Sequence, residues 1–396
     1  MATNKEQNKL NVPHLRFPEF HGEWCVSTIG EQFDLYSGNT PSRLNKEHFE
    51  GNVNWITSGE LKEHYISDTK EKISEDAATA NNLKLLHPGT FVIAIYGLEA
   101  DGVRGTGSIT CKESTISQAC MAFTQKGDVK NEFLYSWYKK HGNIIGIKYA
   151  QGTKQQNLSY DILEKFHIAY PSQDEQDKLI KFISLLDERI ASQSKLIEKL
   201  ESLIKGIVDC TILRKEKKAI VGDVCSISEQ IRAEANIDDI ITVRLHGNGV
   251  CKSSAENLQL GATQYYRRRA GQLIYGKQNF HNGAIGIVPI SLDNGITSKD
   301  IPSFDIDEMK CNSVYLLAQL QSPQYYKPAE ALTTGTGSKR LKEETFLKLP
   351  IVLPNKREQD NIAVLIHRAS MNLDHAKRLL ELLSIQKQFL LRQMFI

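Results

Sequence analysis

The chain has 396 residues, of which 40% are hydrophobic and 24% are charged, and its net charge at pH 7 is +2. This is the composition of an ordinary globular protein, and the length is too great for one core of usual size, so two or three domains are expected. The near-neutral charge excludes a uniformly basic nucleic-acid-binding chain, so any such surface must be local.

The cysteines and the first residues indicate the compartment. The seven cysteines are odd in number and form no C-x-x-C pair, so neither a disulfide framework nor a zinc knuckle is predicted. The N-terminal residues lack the apolar core of a signal peptide, and no apolar run approaches the length of a membrane span. We therefore expect a cytoplasmic protein with free thiols and no bound metal.

An extended arm and a first domain are predicted at the start of the chain. Residues 1–21 are polar and then contain Val12-Pro13 and Phe17-Pro18, which favours an extended arm. In residues 22–171, short apolar runs alternate with turn signals, as in the run 91–95 after Pro88-Gly89. This alternation predicts a mixed α/β domain.

A long helix is predicted over residues 172–214. Ser172 followed by Glu175 is a capping-box pattern, which sets the start of the helix. The apolar positions that follow alternate at spacings of four and three, the seam of a coiled coil. The seam residues are Leu179, Ile183, Leu186, Ile190, Ile197, Leu200 and Ile204. About forty helical residues make a rod of roughly 60 Å.

The second half of the chain repeats the first, with a domain predicted over residues 215–354 and a second long helix over 355–396. Gly152-Thr153, Leu158, Pro171 and Glu175-Gln176-Asp177 recur as Gly335-Thr336, Leu341, Pro354 and Glu358-Gln359-Asp360, each pair 183 positions apart (358 − 175). The second seam contains Ile362, Ile366, Leu373, Leu380 and Leu383. A repeat of this kind indicates two copies of one structural unit.

The two helices are expected to pair with each other, since each Leu or Ile buried in the seam contributes about 1.5–3 kcal/mol. Two domain-plus-helix units joined head to tail and related by a pseudo-two-fold place the helices antiparallel, with the domains at opposite ends. The predicted fold class is α+β, with two mixed α/β domains separated by two long antiparallel helices that form a coiled coil. Between the domains the spacing of matched residues varies from 181 to 192, so the globular parts have diverged while the connectors have not.

The sequence contains no recognisable catalytic motif. Gly97 and Gly102 have the glycine spacing of a phosphate loop but lack the Gly-Lys-Ser/Thr continuation, and no G-x-G-x-x-G order is present. There is no H-E-x-x-H or G-x-S-x-G motif, and the eleven histidines show no ligand spacing. The sequence therefore offers no catalytic constellation, which favours a chain that is not an enzyme and binds no cofactor.

Polar and basic clusters are the candidates for contact with DNA, because Arg pairs with guanine and Asn or Gln with adenine. The candidates in the first domain are Asn39, Thr40, Arg43, Arg104, Lys154, Gln155, Gln156 and Asn157. The candidates in the second domain are Arg267, Arg268, Lys277, Lys339 and Arg340. A solvated surface is the alternative for any single cluster, but the matched placement before both connectors favours binding.

With these motifs the chain resembles the specificity subunit of type I restriction-modification systems over nearly its whole length. The resemblance is carried by the entry Leu15-Arg16-Phe17-Pro18-Glu19-Phe20, by the loop Ser37-Gly38-Asn39-Thr40-Pro41-Ser42 with Trp55-Ile56-Thr57, and by the pattern G-T…L…F-x-I-x-x-P…E-Q with its second copy.

The resemblance implies that each globular part is a target recognition domain that reads one half of a split, asymmetric DNA site. The helices would set the spacing of the half-sites and dock two modification subunits. Those partners would use S-adenosylmethionine, and restriction subunits would use ATP and Mg²⁺. The residues alone also leave open a free-standing DNA-modifying enzyme or a coiled-coil protein scaffold.

Overall fold

The computed structural model describes residues 11–100, 102–152, 156–216, 218–253, 263–335 and 339–396. They form two compact units, Met1–Ser192 with Leu380–Ile396, and Gln193–Leu379. Each unit therefore contains a globular domain together with part of each long helix. The predicted domain boundaries at residues 171 and 354 follow the connectors instead and stay a prediction.

The first domain is built from short strands around one long helix. Its elements are β1 Cys25–Thr28, α1 Ile29–Gln32, β2 Phe33–Ser37, β3 Val53–Ile56, β4 Tyr65–Ile66, β5 Lys72–Ile73, α2 Glu75–Ala80, β6 Phe91–Ala94, β7 Gly107–Thr110, β8 Ser114–Ile116, β9 Cys120–Gln125, α3 Asn131–Tyr149, α4 Tyr160–Leu163 and β10 His167–Tyr170. A five-stranded sheet has the order β2-β9-β6-β7-β4, and a three-stranded sheet has the order β5-β3-β8. Strand β1 pairs antiparallel with β10 and so joins the two ends of the domain.

The central strand of the five-stranded sheet shows why this part of the sequence folds as it does. All four residues of β6 are buried, as expected for a continuous apolar run that packs on both faces. Phe91 lies opposite Phe123 of β9 and Ile109 of β7. The core of the domain therefore forms around this sheet and helix α3.

The second domain has a related topology. Its elements are β11 Ala219–Ile220, β12 Cys225–Ile227, β13 Arg232–Ala233, β14 Ile241–Val243, β15 Val250–Lys252, β16 Tyr265–Arg267, β17 Leu273–Tyr275, β18 Ile285–Ile287, β19 Ile296–Ser298, β20 Ser303–Ile306, α6 Ser313–Leu320, α7 Pro323–Tyr326, α8 Glu343–Leu347 and β21 Pro350–Ile351. The sheet order β12-β20-β17-β18 matches β2-β9-β6-β7, and β11 pairs with β21 as β1 pairs with β10. Each domain also has a three-stranded sheet, but β13-β16-β19 is antiparallel throughout, whereas β5-β3-β8 contains one parallel pair. The second domain has a further two-stranded sheet, β14-β15.

The long helices are α5, Gln173–Val208, and α9, Lys356–Met394. A π-helical turn, Asp209–Leu213, extends α5 at its end. In the first unit the start of α5 packs against the end of α9, since Leu179 and Ile183 share a core with Leu390 and Met394. In the second unit Val208 shares a core with Ile362, and Gln193 Nε2 donates to Ala376 O at 3.0 Å. The helices therefore run antiparallel within both units.

The end of each helix enters a domain core at equivalent positions. Val208 and Ile212 are buried in the second domain, and Leu391 and Phe395, 183 positions later (391 − 208, 395 − 212), are buried in the first. The predicted fold class of two mixed α/β domains and two long antiparallel helices is confirmed. Within the described part of the chain, no helix combines the length and the apolar character needed to cross a membrane.

Candidate nucleic-acid interface

The loop between β2 and β3, residues 38–52, is anchored at its base by Asn39. Asn39 Nδ2 donates to Asn81 O at 3.4 Å, and its Oδ1 accepts from the Thr40 N–H at 2.8 Å. The indole N–H of buried Trp55 donates to Asn39 O at 3.2 Å. Both ends of the Asn39 amide are thus engaged in holding the loop.

Arg43 is fixed on the side of this loop. Its Nη1 and Nη2 donate to the two carboxylate oxygens of Glu71 at 2.8 Å each, a bidentate geometry. The guanidinium lies 4.9 Å from the ring centre of Phe49 and 5.7 Å from that of Trp55. The hydrogen bonds and charge of Glu71 raise the pKa of Arg43. Arg43 therefore presents a surface cation in one defined orientation.

The tip of the loop is the most solvent-exposed part of this region. Ser42, Leu44, Asn45 and Lys46 are all exposed, and the Leu44 side chain is 97% exposed. The sequence prediction named residues at the base of the loop and missed Leu44, because an apolar residue is expected to be buried. The polar run on both sides of Leu44 was the signal that could have identified it.

A second cluster forms where the turn at Arg104 meets the hairpin before the first connector. Arg104 Nη2 donates to Gln156 Oε1 at 2.9 Å, and the Gln156 N–H donates to Glu99 Oε2 at 2.8 Å. Asn157 forms a β-bridge with Gln151 at the base of the hairpin. The structure thus brings together Arg104, Gln156 and Asn157 from distant positions in the sequence. Lys154 and Gln155 lie outside the described residues.

The matching hairpin of the second domain carries a different set of charges. Thr334 bridges Arg340, 183 positions after Gln151 and Asn157 (334 − 151, 340 − 157). Arg340 lies 3.2 Å from Asp300, Lys277 lies 2.6 Å from Glu343, and exposed Lys339 lies 3.9 Å from Glu330. Each predicted cation of this cluster therefore has a carboxylate partner, which lowers the local positive charge.

Arg267 and Arg268 lie at the end of β16, and the structure separates them. Arg267 is exposed, whereas Arg268 is 0% exposed. Arg268 donates to Thr297 Oγ1 at 2.7 Å, to Ser303 Oγ at 2.9 Å and to the Ile301 carbonyl at 3.0 Å. The expectation that Arg268 contacts DNA is therefore wrong. Its guanidinium lies in the interior and is hydrogen-bonded to Thr297, Ile301 and Ser303.

The repeated Glu-Gln-Asp motif forms the same polar network in both units. Gln176 Oε1 accepts from the Lys130 N–H at 3.0 Å, and its Nε2 donates to the carbonyls of Asp128 and Pro171 at 3.1 and 3.0 Å. Gln359 makes the corresponding bonds to Asn312, Lys310 and Pro354 at 2.9, 3.1 and 2.8 Å.

Both glutamines are fully buried, and each satisfies the backbone at the start of a domain helix, α3 or α6. The constant 183-residue spacing therefore corresponds to the same junction between long helix and domain in both units. Beside it, Arg16 of the arm binds Glu175 at 2.8 and 2.7 Å, and Lys215 contacts Glu358.

Within the first unit, a polar network joins the domain to both long helices. His64 Nε2 lies 2.8 Å from Glu132 Oε2, and His64 Nδ1 lies 3.3 Å from Asp187 Oδ2. Lys387 contacts the other carboxylate oxygen of Asp187. The His64 ring stacks between Tyr65 and Tyr135, with ring centres 4.1 and 3.9 Å away. This network includes residues of α3, α5 and α9 and fixes the first domain on the helix pair.

The seam residues lie on the covered side of the two helices. Leu179, Ile183, Ile362, Ile366 and Leu383 are buried, and Leu186, Ile190, Ile197, Leu200, Ile204, Leu373 and Leu380 are half-buried. No seam residue is exposed within the described part of either helix. The pattern is that of a two-helix coil that covers only one face of each helix.

Outside the seam, each helix carries exposed apolar side chains. In the first unit these are Leu185, Leu382, Ile385 and Phe389, and in the second they include Leu196, Leu203, Leu365 and Met371. These residues recur along both helices, and exposed apolar surface of sufficient extent is typical of interaction sites. Across the described residues, no group of three or more His, Cys, Asp or Glu is placed to hold a metal ion.

Comparisons with known proteins identify the first half of the chain directly. Residues 21–202 match the family of the type I restriction modification DNA specificity domain. The MjaIX type I restriction enzyme specificity subunit of Methanocaldococcus jannaschii is 28% identical over 46% of this chain, and the alignment covers 42% of that protein. The MjaVIII specificity subunit of the same organism is 21% identical over 92% of this chain and 89% of its own length.

A solved structure supports the architecture of the whole chain. The S subunit of a type I restriction-modification system from M. genitalium superposes with a TM-score of 0.65 at 16% identity, covering 97% of this chain and 99% of that one. At this identity the match shows a shared fold. The family match to residues 21–202 and the curated relatives bear out the resemblance to type I specificity subunits.

Proposed function

We propose that this chain reads a bipartite, asymmetric DNA site, one half with each α/β domain, because residues 21–202 match the family of the type I restriction modification DNA specificity domain. The observation that carries the proposal is the repeated topology with an identical joint. Gln176 and Gln359 make the same three hydrogen bonds, whereas the loops differ between the domains. One scaffold with two different sets of loops suits two half-sites of different sequence.

The two domains differ in their loops and in the hairpins before the connectors, which carry the candidate DNA-contacting residues. The first domain has the anchored loop 38–52 with Arg43 on its side, and the second domain has the strands β13 to β16 in the corresponding region of sequence. The hairpins before the connectors also differ, with Gln156 and Asn157 in one and Lys339 and Arg340 in the other. Side chains of these types contact both phosphates and base edges.

The helices are proposed to set the half-site spacing and to dock two modification subunits. Their seam faces are covered by each other, whereas their outer faces expose Leu185, Leu203, Leu365 and Leu382. Apolar surface of this kind is suited to a lasting protein interface. The partners would bring S-adenosylmethionine for methylation, and restriction subunits would bring ATP and Mg²⁺. This chain would supply only recognition and assembly.

A domain exchange tests the proposal. Residues 22–171 are replaced by those of a relative, and the methylated site is determined by single-molecule methylation mapping of DNA from cells with the modification subunits. We expect one half of the site to change and the other half to remain.

The matched control replaces residues 215–354 and should change only the other half. If either exchange altered both halves, the assignment of one half-site to each domain would be wrong.

A further inference from the structure

Leu44 is the most exposed large apolar side chain in the described residues, at 97%. Isolated apolar residues on a surface are common, so exposure alone assigns no role. What distinguishes Leu44 is the rigid support under it and the charge around it.

The loop that carries Leu44 is fixed at both ends by close backbone packing. A Cβ on Gly38 would lie 1.8 Å from Ile116 O, and one on Gly51 would lie 2.1 Å from Ile73 O, so only glycine fits at either position. The Asn39 hydrogen bonds hold the same end as Gly38. The two ends of the loop are therefore packed closely against neighbouring strands, and Leu44 projects from this base.

The flanking residues offer exposed hydrogen-bond donors to a polyanion, although the charge of Arg43 is partly offset by Glu71. Arg43 is locked in place by Glu71 and by the rings of Phe49 and Trp55, and its side chain remains 59% exposed. Lys46 and Asn45 follow on the other side and are exposed. Within three positions in the sequence, Leu44 has two basic residues and one acidic residue, Arg43, Lys46 and Glu47. Two other very exposed apolar residues have fewer basic neighbours: Met309, at 87%, has Lys310 with Asp307 and Glu308, and Ile290, at 88%, has only Asp293.

We propose that Leu44 makes an apolar contact with the bases of the DNA target of the first domain and contributes to its specificity. The proposal rests on the proposed DNA recognition. Apolar side chains contact bases in two ways: against the methyl group of thymine, or as a wedge in an opened base step. In both cases Lys46 would reach a phosphate beside the contact, and Arg43 would act as a positioning residue that holds the loop.

Equilibrium binding measures the contribution of Leu44. The assembled complex carrying Leu44→Ala is titrated with a fluorescent duplex that contains the mapped site, at one fixed salt concentration. We expect about ten-fold weaker binding, equivalent to about 1.4 kcal/mol. The control Ile290→Ala should bind as the wild type does. The melting temperatures of both variants should be unchanged, since neither side chain is buried.

Modified duplexes separate the two modes of contact. If Leu44 touches a thymine methyl, replacing that thymine by uracil removes the methyl group. The replacement should weaken binding of the wild type and have no effect on binding of Leu44→Ala. If Leu44 opens a base step, a mismatch at that step restores binding of Leu44→Ala.

The proposal would be overturned if Leu44→Ala bound the target duplex as tightly as the wild type. It would also be overturned if Leu44→Ala bound every duplex, modified or not, more weakly than the wild type by the same factor. A wild-type complex with no preference for the mapped site over a scrambled duplex would instead refute the proposed function, which keeps the two failures distinct.

Discussion

At the scale of single residues, burial and hydrogen bonding together decided which predicted polar side chains are available to contact DNA. Arg268 and Asn39 have the chemistry of base-contacting residues, yet the first is buried on Thr297 and Ser303 and the second holds its own loop. The partners of Arg268 lie 29 and 35 positions away in the sequence. No local pattern could reveal that pairing, because it depends on which strands become neighbours.

His64 gives a residue-scale prediction about pH. Burial alone would lower its pKa, but the carboxylates of Asp187 and Glu132 outweigh burial and raise the pKa above its usual 6.5. A base whose pKa is raised on folding stabilises the folded state fully below the unfolded pKa, and this stabilisation is lost as the pH rises through the folded pKa.

We expect His64→Gln to cost about 1–3 kcal/mol at pH 6 and progressively less toward pH 9, as measured by urea unfolding of both proteins at each pH. Burial lowers the pKa of Lys139 to about 8, so this group makes the folded state more stable as the pH rises, opposite to His64. Both proteins contain Lys139, so the difference between their free energies of unfolding reports on His64. A difference that does not vary with pH would show that the ring acts through packing alone.

At the scale of elements, the long helices present one covered face and one uncovered face. Ile190 is half-buried in the seam, and Leu185, five positions earlier in the same helix (190 − 185), is 53% exposed. The heptad spacing in the sequence identified the seam, because the spacing alone determines which residues share a helix face. It could not show that the outer face stays uncovered.

Aspartate substitutions on the two faces should separate stability from assembly. Ile190→Asp should lower the free energy of unfolding by about 2–4 kcal/mol, because it removes a buried apolar group and places a charge against the partner helix. Leu185→Asp should leave the melting temperature nearly unchanged and weaken co-purification with the modification subunits. Loss of stability in Leu185→Asp equal to that in Ile190→Asp would contradict this division of faces.

At the scale of the whole molecule, the last residues of the chain belong to its first domain. Phe395 is 2% exposed and lies with its ring centre 5.2 Å from that of Phe133, and the Leu15 N–H donates to Gln393 O at 2.9 Å. The first globular domain therefore includes residues from both ends of the sequence.

Two phenylalanines near the C-terminus provide a matched test of this closure. Phe395→Ala should destabilise the protein by about 3–5 kcal/mol through the cavity it leaves. Phe389→Ala, at a position that is 56% exposed, should change stability by no more than about 0.5 kcal/mol. Calorimetry of both variants checks the difference. Equal melting temperatures would mean that the first domain does not need the end of α9.

The sequence by itself determined the repeat, the two long helices, their seam and the class of protein. These features depend on local spacing: a 183-residue offset, a heptad pattern and a connector motif are all visible along the chain. The tertiary structure decided which backbone groups Gln176 and Gln359 bind and which of the predicted basic side chains are buried or paired. It also decided that Leu44 is exposed at the tip of its loop. Burial and hydrogen bonding depend on segments that meet only after folding, so no reading along the chain could supply them.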